Sequence, residues 1–148
     1  MANKIDKKIV GYRVKPTDEQ TVAATAVMDE TVQRPDVLHG ATYSIKPPHL
    51  THPVTVTIND MELEGKTYPY EVFINTKDTE LHQWTAALTR VMSAVFRKGG
   101  DVGFLLAELK EVNDPVAGAY NKKGEGFVPS LVADIGLTIE KHLNGNGK

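Results

Sequence analysis

His39, His49 and His52 stand close together around Lys46 and the Pro47-Pro48 pair, and imidazoles three positions apart can share a divalent metal. No neighbouring cysteine or carboxylate completes a ligand set, so they read as histidines of a proline-rich surface turn. A metal-dependent enzyme built on His49 and His52 is the outermost alternative. Asp60, Glu62 and Glu64 alternate, a pattern that can hold magnesium or divide acid and base roles, but it reads here as the solvated tip of a hairpin. Ser44, Ser93 and Ser130 lack a Gly-x-Ser-x-Gly setting, and His82 falls on the polar side of a helix. The chain has no cysteine, which removes thiolate nucleophiles, disulfides and sulfur-ligated zinc together. The expectation is a protein with no catalytic residues, no metal and no cofactor, not an enzyme on its own.

Phosphate binding needs different residues: backbone amides freed by glycine, with cations beside them. Two segments offer both. Arg97, Lys98, Gly99 and Gly100 end in Asp101; their alternative reading is a glycine helix stop with basic residues favourably placed at the helix C-terminus. Lys122, Lys123 and Gly124 precede Glu125-Gly126-Phe127; that stretch reads either as a loop gripping a nucleotide phosphate or as an ordinary solvated loop. It matches no Walker or dinucleotide fingerprint. Tyr120, beside the lysines, is the aromatic residue placed to stack on a base.

These segments need a scaffold, and the apolar periodicity describes one. Ile5, Ile9, Val10, Tyr12 and Val14 form a β-prone opening, and Thr21–Val32 reads as a helix or linker. Strands are predicted over Thr42–Lys46, over Val54–Ile58 by strict alternation, and over Tyr68–Asn75, with a connection beginning at Asn59-Asp60. Leu81, Trp84, Leu88, Val91, Met92, Val95 and Phe96 recur at helical spacing until Gly99-Gly100. Asp101 is expected to cap a second helix carrying Val102, Leu105, Leu106 and Leu109. After a glycine-bearing loop over Gly118–Gly126, a third begins near Pro129-Ser130 and runs to Leu143. Strands first and helices after predict an α+β fold, an antiparallel sheet from the N-terminal half packed against about three helices from the C-terminal half. The expected divisions are 1–33 as N-terminal strand and linker, 34–143 as the domain, and 144–148 as a flexible tail.

At 148 residues the chain suits one domain, and 17 basic against 19 acidic residues leave a net charge of −2. That balance gives no general attraction for nucleic acid or anionic membrane. With no signal-like N-terminus and no long apolar run, the expected location is cytoplasmic.

Three segments carry a resemblance to a known family: Arg34–Lys46, Tyr70–Asn75 and Ala94–Asp101, in that order. The region from Arg34 to Leu143 resembles the TSCPD domain of adenosylcobalamin-dependent (class II) ribonucleotide reductases, above all the small companion subunit of the split enzymes. The chain departs from the Thr-Ser-Cys-Pro-Asp signature: around Ser130 it reads Pro129-Ser130-Leu131-Val132-Ala133-Asp134-Ile135-Gly136, with Leu131 at the cysteine. The resemblance implies an accessory module that binds a nucleotide or nucleotide-derived ligand, a reductase large subunit, or another copy of itself as a homo-oligomer. The alternative is a stand-alone, phage-encoded trap that sequesters a nucleotide immune signal. In either case Arg97, Lys98, Gly99, Gly100, Lys122, Lys123 and Gly124 are expected at the phosphates and Tyr120 at the base.

Overall fold

The structure is a computed structural model that describes residues 27–146, Asn146 in its backbone alone. The β-prone opening, the first part of the predicted helix or linker, and residues 147–148 lie outside the described residues.

The alternation of Val54, Val56 and Ile58 with threonines makes β2 (Val54–Leu63) the centre of a three-stranded antiparallel sheet, between β1 (His39–Ile45) and β3 (Lys66–Thr76). Register sets Tyr43, Val56 and Ile74 in one row across the sheet and Ala41, Ile58 and Val72 in the next. The three β2 residues are wholly buried, each contributing roughly 1.5–3 kcal/mol over an exposed state. Helix α1 (His82–Lys98) covers β3, with Met92 and Phe96 in the core. Helix α3 (Leu131–Asn146) packs on β1 and β2, and α2 (Gly103–Lys110) packs on α3. The α+β expectation is met, sheet first and helices after.

Five local readings need correction. First, β2 does not end at Asn59-Asp60 but continues to Leu63, with an irregularity between those residues. Only Glu64, at φ 47°, and Gly65 form the tip, so Asp60 and Glu62 belong to the strand. Second, Asp101 is not the cap of α2: Val102 holds that position, and the Asp101 carboxylate accepts the Gly103 N–H at 2.8 Å. Third, the Gly118–Gly126 loop contains a hairpin, β4 (Tyr120–Lys122) with β5 (Gly126–Val128), because Gly124 and Gly126 both adopt positive φ. Fourth, α3 does not stop at Leu143 but carries Asn144 and Gly145 in its last turn; a helix already anchored by packing tolerates one glycine at a cost of about 1 kcal/mol. Fifth, the packed body begins before Arg34. Met28 and Val32 join Met61 and Tyr70 in a second small core, and the described part of the helix-or-linker segment, residues 27–32, is a linker with a turn at Glu30-Thr31.

The opposite edges of the sheet differ. Ser93 Oγ on α1 accepts the Val72 N–H at 3.1 Å and donates to the Val72 carbonyl at 3.3 Å, so α1 satisfies the outward backbone groups of Val72 as well as covering the apolar face of β3.

Candidate functional site

Helix α1 ends at Lys98 because Gly99 takes φ 80° and ψ −172°, a conformation open to glycine. A side chain at Gly99 is also excluded by contact, since a Cβ there would lie 1.8 Å from the Met28 carbonyl oxygen. The helix end and the Met28-Asp29 backbone, at the start of the segment that runs to Arg34, are therefore packed against each other. That segment delivers Arg34 to β3, where its guanidinium donates to both Glu71 oxygens, at 3.2 and 2.9 Å. Asn59 donates to the same carboxylate at 2.9 Å. Glu71 is only 8 % exposed; Arg34 holds its pKa below the ordinary glutamate value, against the upward push of burial, and the Arg97 charge acts in the same direction.

With Glu71 occupied, cationic side chains remain around it. Arg90 and Arg97 are seven positions apart on α1, two helical turns on one face, with the small Ser93 and Ala94 between them. This face and β3 enclose a groove of about 460 Å³, lined also by Phe73, which is 48 % exposed. On the other side of Arg97 a second cleft of about 430 Å³ is lined by Arg34, Tyr70 and Lys98. Lys98 meets Glu30 at 3.1 Å, with both side chains exposed. Arg97 thus lines two adjoining clefts, one offering an exposed aromatic ring and the other further positive charge. Volumes of this size suit a small organic ligand.

The hairpin lysines are arranged differently. Asp134 on α3 is 1 % exposed and accepts the Tyr120 hydroxyl at 2.7 Å and the Lys122 ammonium at 2.7 Å. Lys122 also pairs with Glu125 at 3.2 Å, and Glu125 in turn with Lys141. Burial pulls the Lys122 pKa down, but the two carboxylates outweigh it and the net shift is upward. Burial first, and then the hydrogen bond to Asp134, raise the Tyr120 pKa. The Tyr120 hydroxyl and the Lys122 ammonium thus tie the hairpin to α3, and Tyr120, itself buried, offers little ring surface for stacking. Lys123 is exposed at the turn beside Gly124. The two predicted phosphate segments share no partner: one centres on Glu71, the other on Asp134.

Histidines supply a third cluster, unforeseen in the sequence. His142 on α3, 4 % exposed, meets the Tyr43 hydroxyl through Nδ1 at 2.8 Å and the Asp60 carboxylate through Nε2 at 2.8 Å. An imidazole that donates to Asp60 and accepts from Tyr43 fits this geometry. Both ring nitrogens are engaged, which ties α3 to β1 and β2. His49 and His52 do not converge: His52 pairs with Asp78 at 2.9 Å, and the His49 ring lies 5.9 Å from that of Tyr120. Among the described residues no group of three His, Asp or Glu side chains is placed to hold a metal ion, and no helix is long and apolar enough to cross a membrane.

Arg34, Phe73 and Arg90 line these clefts and were not among the residues singled out in the sequence. The available signal was Phe73, an aromatic residue on the strand face opposite the buried Val72 and Ile74. Compared with known proteins, the chain matches the sequence model of the TSCPD domain family over residues 20–143. No curated protein and no solved structure gives a significant match.

Proposed function

The chain belongs to the TSCPD domain family, and from that membership we propose that it is a non-catalytic accessory module of the ribonucleotide reductase type, holding a nucleotide or nucleotide-derived ligand at the end of α1. The observation that carries this reading is the placement of Arg97 between two clefts, with Phe73 and Arg90 on one side and Arg34 and Lys98 on the other. Arginine forks suit phosphate oxygens, and an exposed aromatic ring suits a base. In this reading Arg97 contacts the phosphate with Arg90 beside it, Arg34 stays on Glu71 and shapes the second cleft, and Phe73 replaces Tyr120 as the stacking residue. Gly99 and Gly100 shape the helix end beside the phosphate. Leu131, at the signature cysteine, lies in the main apolar core, which agrees with binding in place of redox work.

Calorimetry of the purified chain against nucleoside phosphates and cyclic or ADP-ribose-type nucleotides tests the proposal. Arg97→Ala is expected to weaken binding at least about tenfold, the loss of about 1.4 kcal/mol, with an unchanged melting profile. Absence of binding across that panel rejects the nucleotide site. A capture experiment with a reductase large subunit then tests the accessory role separately.

A further inference from the structure

The two edges of the sheet have unequal protection, and the bonds of Ser93 establish the phase of the open one. Because Ser93 bonds the N–H and C=O of Val72, those groups point away from β2. Backbone groups alternate in direction along a strand, so Ile58, opposite Val72, directs its own toward β1. Ala41, opposite Ile58, therefore faces β2, whereas Gly40, Thr42 and Ser44 direct N–H and C=O outward from the sheet. All three residues are exposed, and none of the described residues bonds those outward groups. The pairing of β1 with β2 runs without a bulge, and His39–Ile45 contains no proline, lysine or other formal charge. These are the devices by which an edge strand normally repels a second strand, and β1 has none of them.

We propose that β1 is the interface of a homodimer in which two copies pair antiparallel about a two-fold axis at Thr42. That register opposes Thr42 to its own symmetry mate and Gly40 to Ser44 of the other copy, so outward groups meet outward groups in pairs exchanging two hydrogen bonds each. It also keeps like faces together. Ala41 lies opposite Tyr43 on the apolar side, and the threonine-rich side, where Thr42 and Thr57 hydroxyls already touch at 2.8 Å, continues into the second sheet. No like charges face one another across this register. Val37, 67 % exposed just before the strand, extends the apolar contact toward the partner's Pro47-Pro48 corner. A second copy is the occupant because the strand is complementary to itself in register, face and charge. The interface lies on the sheet edge away from α1 and leaves both Arg97 clefts open, so its test is independent of ligand binding.

Light scattering on the unliganded chain at micromolar loading is expected to give twice 16.2 kDa. Thr42→Pro removes an N–H that points out of the sheet, a substitution edge strands accept, and should return the mass to 16.2 kDa with circular dichroism preserved and a melting temperature that no longer depends on concentration. Thr42→Lys, which opposes two ammonium groups at the axis, should do the same and serves if the proline variant fails to fold. Gly40 is unsuitable for such a test, because a Cβ there would lie 2.0 Å from the Ile58 carbonyl oxygen. A monomeric parent chain, or a Thr42→Lys dimer as stable as the parent, overturns the proposal.

Discussion

Two basic, glycine-bearing segments that look alike in sequence have opposite roles in the fold. At the hairpin, Lys122 reaches a carboxylate buried on α3, and its charge is spent inside the molecule on holding β4 and β5 to the helix. At the end of α1, Glu71 is claimed by Arg34 and Asn59, and Arg97 is left lining the clefts. The difference lies in the position of one acidic partner relative to the lysine or arginine, which chain-local spacing does not report. A cation near a glycine is a candidate for phosphate only when no buried carboxylate is closer.

Removing the hairpin's partner should break this contrast most severely. Asp134→Ala leaves the Tyr120 hydroxyl buried and unpaired and the Lys122 ammonium, 26 % exposed, deprived of its closest countercharge. A loss of about 3 kcal/mol is expected in urea unfolding, the lower end of the range for a broken buried pair because Lys122 retains some solvent. A change within about 0.5 kcal/mol, the level of an ordinary surface substitution, would refute the structural role given to Lys122.

Gly99→Ala strikes the other region at its backbone. Strain at a glycine-only conformation costs about 1–3 kcal/mol, and contact with the Met28 carbonyl should loosen the segment that carries Arg34. Hydrogen exchange should accelerate in residues 28–34 while the Tyr120 hairpin keeps its protection. Equal acceleration in both places would show that the two regions are not separate units.

The smallest effect is expected from Glu71→Gln, read against pH. Glu71 has a folded pKa below its ordinary value of 4.5, so its contribution is fully present above 4.5 and disappears as pH falls through the lower folded value. The variant should therefore be less stable than the parent at neutral pH, with the gap closing on acidification well below 4.5. A gap that stays constant into acid would remove the Arg34–Glu71 clamp from the account.

The amino-acid order alone determined the scaffold. Val54, Val56 and Ile58 alternate at the period of a half-buried strand, and Trp84, Leu88, Met92 and Phe96 at that of a helix, so local geometry and burial agree and the α+β arrangement is legible. Gly99 was legible too as a helix stop, because a helix end is a local event. The lining of the candidate clefts was legible only in part: Arg97 and Lys98 stood out in the sequence, Arg34 and Phe73 did not. Tertiary structure decided which charges meet. Glu71 finds Arg34 across 37 positions, His142 finds Asp60 across 82, and Asp134 takes both Tyr120 and Lys122. Periodicity gives each side chain a face but no partner; the partner is assigned when helices and strands pack and carboxylates leaving water take the nearest donors.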